Sequence, residues 1–173
     1  WRIMLNNIKT IFTSKLFYIL VALIFIVPFL YEKLPIRIDI TQQSSLPQKI
    51  WLTYSDLAVE SEYILFIPPK TKYTLDSNIE YLKKISCNED DLLVVDENRD
   101  YFCNDKYIGT ASKYDGNKNL IENFVFSGII PKNKYFVTGT HPLSHDSKYF
   151  GFVDKSQILR KAIPIERIIY DFK

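Results

Sequence analysis

The 173-residue chain is poor in the residues that build metal sites, with only 2 cysteines and 2 histidines. They are too scattered to give the clustered spacing of a zinc site. The chain also lacks an excess of one charge, because 22 basic and 20 acidic residues are interspersed and leave a net charge of +2. So weak a field gives no reason to expect binding to DNA or RNA. We therefore expect a protein with no metal, no other cofactor and no nucleic-acid partner.

Glycine is also scarce, at 5 residues, whereas tyrosine and phenylalanine each occur 12 times. Hydrophobic residues make up 47% of the chain, which argues against disorder, and this length is enough to bury a core. The composition is typical of one strand-rich globular domain, alone or with an anchor.

The two cysteines, Cys87 and Cys103, lie in the polar part of the chain. They either form a disulfide, which requires an oxidising compartment, or remain two unrelated thiols. The sequence leaves both alternatives open.

A run without charge, residues 16–31, predicts a membrane-spanning helix. Residues 10–14 can extend it, and Lys15 can reach the lipid headgroups. No small-x-small cleavage site follows the run, so we expect an uncleaved anchor rather than a signal peptide. Basic residues precede it and acidic ones do not, which keeps this end in the cytoplasm. We expect residues 1–35 to form a cytoplasmic tail and single-pass anchor in a bacterial inner membrane, and 36–173 a periplasmic domain.

Short apolar or alternating segments predict that this domain is mainly β. The predicted strands span 36–40, 50–54, 62–67, 81–85, 91–96 and 134–139, with a hairpin over 101–109. Residues 156–162, which precede Pro164, predict a short helical turn.

Three polar segments in this domain could hold functional side chains. The first is Ser45, which leaves a strand just before Leu46-Pro47; by itself it could be an ordinary loop serine. The second is the pair Lys83-Lys84, whose side chains point to opposite faces of a strand. One lysine must therefore be covered, and burial can lower its pKa by about 3 to 5 units, unless both extend to solvent at a strand edge.

The third segment, residues 139–151, is dense in side chains that can form hydrogen bonds. A triad of Ser144, His145 and Asp146 is unfavourable because adjacent side chains point apart. A well-bonded turn that supports a site is the better interpretation.

Taken in this order, the anchor, the Ser-Leu-Pro turn, the strand-borne Lys-Lys and the box Asp-Ser-Lys-Tyr-Phe-Gly at 146–151 resemble the type I signal peptidase family. The strand that ends at Pro68-Pro69 and the pair His141-Pro142 are similar to its branch of conjugative-transfer signal peptidases, TraF. The resemblance runs from the anchor to about Pro164. It implies a signal-peptidase-like β domain with an N-terminal transmembrane helix.

The resemblance also implies the site residues. Ser45 would be the nucleophile, with Ser44 as a neighbouring alternative, and Lys83 the general base. Asp146 would support the site, with Lys148 as its ion-pair partner. The Ser45 backbone N–H is one oxyanion donor, and the Gln43 amide or the Ser44 hydroxyl could be the second.

The implied function is a membrane-anchored Ser/Lys endopeptidase that cleaves, or cleaves and cyclises, an exported precursor such as a conjugative pilin. Expected partners are that precursor, membrane lipid and proteins of a conjugation apparatus. The alternatives are a general signal peptidase and an inactive, anchored interaction domain. Family departures at Lys49, residues 89–91 and Lys148 concern loop geometry more than the catalytic pair.

Overall fold

The computed structural model describes residues 15–41, 45–58, 61–72, 74 and 79–171. The chain divides into two compact units, one up to Arg37 and one from Ile38 onward.

The first unit contains helix α1, Lys15–Glu32. Its side chains are apolar and mostly exposed, and Pro28 lies inside it. By length and composition α1 could cross a membrane, although a signal sequence near the N-terminus would have the same properties. The predicted apolar run therefore lies in a single helix.

From Ile36 onward the chain forms two antiparallel sheets, with 11 strands among the described residues. The strands are β1 Ile36–Ile40, β2 Ile50–Tyr54, β3 Tyr63–Phe66, β4 Tyr81–Cys87, β5 Leu92–Val95, β6 Asp100–Cys103, β7 Lys106–Thr110, β8 Gly128–Ile129, β9 Lys134–Thr138, β10 Val153–Asp154 and β11 Ile158–Pro164. The larger sheet has the order β1-β2-β11-β3-β4-β9-β10, and the smaller β7-β6-β5-β8. Two short helices, α2 Ser147–Phe150 and α3 Ile165–Asp171, complete this part of the chain. The prediction of a mainly β domain is confirmed.

The predicted helical turn over residues 156–162 is wrong. A single 3₁₀ turn, Lys155–Gln157, is followed by strand β11. This strand lies inside the larger sheet, where it pairs with β2 and with β3. The alternation of apolar and polar residues that would predict this strand is interrupted, because the buried face of β11 includes Arg160 as well as Ile158 and Ala162.

A disulfide joins Cys87 at the end of β4 to Cys103 at the end of β6, with their Cα atoms 5.7 Å apart. Both cysteines belong to a core cluster that includes Leu93, Tyr101 and Phe136. The bond therefore ties a strand of the larger sheet to a strand of the smaller one.

Removing this bond should destabilise the domain. A crosslink across 16 residues lowers the entropy of the unfolded chain, which corresponds to about 3 kcal/mol of stability. We expect the double variant Cys87→Ala/Cys103→Ala to lose about that much in the free energy of unfolding, measured by denaturant titration. Wild-type protein in reducing agent should shift by a similar amount. Equal stability of oxidised wild type, reduced wild type and variant would contradict this expectation.

Candidate active site

Strand β4 carries Lys83 into the interior. Its neighbours in the larger sheet are β3, with Lys83 opposite Ile64, and β9. The Lys83 side chain is almost fully covered, at 1% exposure, although lysine is rarely buried without a partner. Lys84, which faces the other way, instead forms a half-exposed ion pair with Glu62 at 3.1 Å.

The Lys83 amine donates a hydrogen bond to Ser144 Oγ at 3.1 Å. Burial lowers the pKa of Lys83 from 10.5 to about 8, because a charged ammonium loses hydration there. The negative charge of Asp146 raises this pKa, and the positive charge of Lys148 lowers it. At neutral pH a useful fraction of Lys83 is therefore unprotonated and can accept a proton.

The turn after β9 is organised by Asp146, which is fully buried. Its carboxylate caps helix α2 by accepting from the Lys148 backbone N–H at 3.1 Å, and it also accepts from the Gly139 backbone N–H at 3.0 Å. The Lys148 ammonium completes the group with an ion pair to Asp146 at 2.7 Å. Because Asp146 bonds to both ends of the turn, it fixes the position of Ser144.

The other residues of this turn pack rather than react. The His145 ring stacks on Tyr149 and meets Phe150 edge-on. Burial lowers the pKa of His145, which keeps the imidazole neutral. Its Nε2 atom is buried without a hydrogen bond to any described group. The hydrogen bonds of Ser144 and Asp146 therefore do not involve the histidine that lies between them in the sequence.

Ser45 is held against this turn by its backbone carbonyl. That oxygen accepts from the Thr140 backbone N–H at 2.8 Å, from Thr140 Oγ1 at 3.2 Å and from the His141 backbone N–H at 3.4 Å. Gly139 permits the approach: a Cβ there would lie 2.8 Å from the Ser45 carbonyl oxygen and closer still to Ser144 Oγ. Ser45 and the hydrogen-bond partner of Lys83 therefore lie side by side.

A small recess adjoins Ser45, lined by Thr41, Leu46 and Leu82 as well as by Ser45 itself. Its size and apolar walls suit a small side chain. In the described part of the chain, no hydrogen bond joins Ser45 Oγ to Lys83 Nζ. Gln43 and Ser44, the predicted second oxyanion donors, lie outside the described residues.

Sequence reasoning missed Ser144 as the partner of Lys83. The sequence offers this serine only as a triad member beside His145 and Asp146. The available signal was the inward-facing lysine, which needs an acceptor once it is buried. Ser144 lies 61 residues from Lys83 in the sequence, so the local sequence around Lys83 does not indicate which serine provides that acceptor.

The comparisons with known proteins identify the family of this chain. The family model described as "Signal peptidase, peptidase S26" matches residues 6–165, which is most of the chain. A solved signal peptidase I from Enterococcus faecalis V583 is similar at 20% identity and a TM-score of 0.37, covering 58% of this chain and 92% of that one. No curated protein sequence matches. The chain belongs to the signal peptidase family, peptidase S26, whose members are serine endopeptidases acting on exported precursor proteins.

Proposed function

We propose that this protein cleaves exported precursors with Ser45 as nucleophile and Lys83 as general base. The observation that supports this best is the buried lysine itself. Lys83 lies at 1% exposure, has a pKa lowered to about 8 and donates to Ser144 Oγ beside the Ser45 segment. Burying an amine is costly, and a neutral amine near neutral pH is what a general base requires.

In the proposed reaction, neutral Lys83 takes the hydroxyl proton of Ser45 as Ser45 Oγ attacks the carbonyl carbon of the scissile peptide bond. Collapse of the tetrahedral intermediate releases the amine of the leaving peptide, which receives the proton from Lys83, and leaves an acyl ester on Ser45. Water, deprotonated by Lys83, then hydrolyses the ester. Ser144 keeps the Lys83 amine in place, and the recess beside Ser45 accepts a small side chain before the scissile bond.

We further propose that the site works at the outer face of a bacterial inner membrane. Family membership and the apolar helix α1 are consistent with membrane anchoring. The basic residues before α1 favour a cytoplasmic N-terminus and hence a periplasmic β domain. The disulfide between Cys87 and Cys103 suits that compartment, and membrane lipid would surround the anchor.

The TraF-like features at Pro68-Pro69 and His141-Pro142 favour a pilin-like precursor and proteins of a conjugation apparatus as partners. Joining the new ends of such a precursor would need the same acyl-enzyme. A peptide amine would then replace water as the attacking group.

Cleavage of a co-expressed precursor tests the proposed pair. The precursor carries an apolar signal segment that ends in Ala-x-Ala, and a second one is a candidate pilin precursor. We expect wild type to cleave at least one, Lys83→Ala to lose about 10²- to 10⁴-fold in rate, and Ser45→Ala, which removes the nucleophile, to lose more, up to about 10⁶-fold. The product's mass distinguishes a linear from a cyclised chain.

Matched comparisons lie next to each residue, because Ser44→Ala and Lys84→Ala change the same residue types one position along the chain. Lys84→Ala should retain most of the activity, and Ser44→Ala should lose no more than one oxyanion donor supplies, about 10²- to 10³-fold. If Ser44→Ala abolished cleavage while Ser45→Ala did not, the nucleophile would be Ser44. Equal cleavage by wild type, Ser45→Ala and Lys83→Ala would overturn the Ser/Lys pair.

A further inference from the structure

A second, larger cavity lies beside the candidate active site. This cleft, called the polar cleft below for its lysine and hydroxyl side chains, has a volume of about 850 Å³ and is also lined by apolar side chains such as Ile85 and Ile108. It is lined by the end of β4, by the segment from Thr138 to Pro142 and by β7. Glu62, Ser112 and Lys148 also line it. Its volume is sufficient for several residues of an extended peptide rather than for a single side chain.

The polar cleft is continuous with the catalytic elements. Leu82 lines the small recess and Lys84 lines the polar cleft, and these two side chains lie on one face of β4. Ile85 and Ser86, at the irregularity that follows in the strand, line the polar cleft as well. Thr140 and His141, which hold the Ser45 carbonyl, line the polar cleft as well. A peptide that places a side chain in the recess and continues along β4 therefore enters the polar cleft.

The charge of the polar cleft is positive. Three lysines, Lys84, Lys106 and Lys148, face a single acidic side chain, Glu62. Glu62 already pairs with Lys84, and no ion pair joins Lys106 to another described residue. The buried Lys148 ammonium can donate three hydrogen bonds, but among the described groups its single acceptor is Asp146. The polar cleft thus offers cationic donors that an anionic or carbonyl-rich chain could use.

Strand β7 also offers backbone groups. It is the outer strand of the smaller sheet, and among the described strands it pairs with β6 alone. Open strand edges bind extended peptides through backbone hydrogen bonds. Residues 106–110 of this edge all line the polar cleft.

We propose that the polar cleft binds the part of the precursor that follows the scissile bond, as an extended chain, and selects acidic side chains there. This rests on the proposed function. A precursor has an apolar signal segment on one side of the scissile bond and a polar chain on the other. The charge of Lys106 suits an acidic polar chain, whereas an apolar segment packed against it would remove its hydration at a cost in free energy. Lys106 is the specificity-determining residue, because its charge is not neutralised by another described side chain.

Binding can be measured without cleavage. The probes are two fluorescein-labelled octapeptides, one alternating Glu with Ala and one alternating Lys with Ala. They are titrated into full-length Ser45→Ala protein in detergent micelles. We expect the acidic peptide to bind about three- to fivefold more tightly at low salt, in line with partly exposed ion pairs, and the preference to fade at high salt. Lys106→Glu should remove or reverse it.

Lys113→Glu is the control, since Lys113 is an exposed lysine that does not line the polar cleft. It should leave the preference unchanged. Equal affinities for both peptides, or equal effects of Lys106→Glu and Lys113→Glu, would overturn the proposal.

A cleavage assay distinguishes a failure of this proposal from a failure of the proposed function. Two series of precursors carry Glu or Lys at the second to fifth positions after the scissile bond. The kcat/KM for each series is measured with wild type and with Lys106→Glu. A higher kcat/KM for the Glu series, lost in Lys106→Glu, is expected. Cleavage of both series at one rate would overturn the acidic preference while leaving the endopeptidase intact. If neither series were cleaved, the proposed function would fail, and the peptide titration would still decide whether the polar cleft binds acidic chains.

Discussion

Replacing Lys83 with methionine should abolish cleavage and at the same time make the folded protein more stable. Loss of the general base should lower kcat/KM by about 10²- to 10⁴-fold. In wild type, kcat/KM should rise about tenfold per pH unit up to the pKa of Lys83, near 8, and level off above it. The pH profile of the wild-type enzyme measures this directly.

The gain in stability follows from the same lowered pKa. The unfolded chain binds the Lys83 proton more tightly than the folded protein does, so the folded state is penalised below pH 8. The penalty disappears as the pH rises from about 8 to 10.5. We expect Lys83→Met, which is similar in volume, to raise the free energy of unfolding at pH 7 by up to about 3 kcal/mol. The difference from wild type should shrink towards pH 10.5.

Denaturant titration followed by the fluorescence of the buried Trp51 gives this comparison at pH 7 and pH 10. Lys84→Met is the matched control, because it removes a half-exposed ion pair and should change stability by no more than about 1 kcal/mol. A less stable Lys83→Met at both pH values would show that the amine is not penalised by burial.

Gly139→Ala should disrupt the site from a position that holds no reactive group. The new methyl group would lie 2.8 Å from the backbone carbonyl oxygen of Ser45 and would also overlap Ser144 Oγ. Rotation of the Ser144 side chain moves its Oγ and breaks its bond to Lys83, but it does not move the Ser144 Cβ, which would lie 2.9 Å from the new methyl group. The backbones of Ser144 and Ser45 must therefore shift. A displacement of about 1 Å can cost about 10²-fold in rate, and overpacking about 1 to 3 kcal/mol in stability.

Gly116→Ala is the control for this change, because a Cβ at Gly116 would meet no atom within 4 Å. It should alter the free energy of unfolding by no more than about 0.5 kcal/mol and leave cleavage unchanged. Full activity of Gly139→Ala would contradict the close packing of Ser45 against this turn.

Most strands could be predicted from local sequence, and the exceptions have physical causes. The alternation in Ile36–Ile40 and the apolar run in Ile50–Tyr54 coincide with β1 and β2. In β2 the pattern accompanies a buried face that includes Trp51, whereas the isoleucines of β1 are exposed, so there the alternation locates a strand without marking a buried face. Strand β11 was predicted as a helical turn, since Arg160 occupies its buried face and breaks the expected alternation. Its place between β2 and β3 depends on pairing with distant strands, which a local pattern does not encode.

The candidate site could likewise be predicted only in part from the sequence. The two faces of β4 require one lysine of the pair to be covered, but the choice of Lys83 came from the family resemblance. The hydrogen bond from Lys83 to Ser144 depends on how the turn at 139–151 packs against β4. Likewise, the alternatives for Cys87 and Cys103 could be separated only once β4 and β6 were placed next to each other.

The arrangement of residues along strand β4 limits the changes in length that members of this family can tolerate. Residues close together on β4 lie in different environments. Leu82 lines the recess, Lys83 is buried at the position of the base, Lys84 lines the polar cleft and Cys87 forms the disulfide. A single inserted or deleted residue would exchange the faces of the two lysines and move the cysteine out of reach. A change in length that ends before Tyr81 leaves this register intact, so insertions and deletions among homologues should stop at Tyr81.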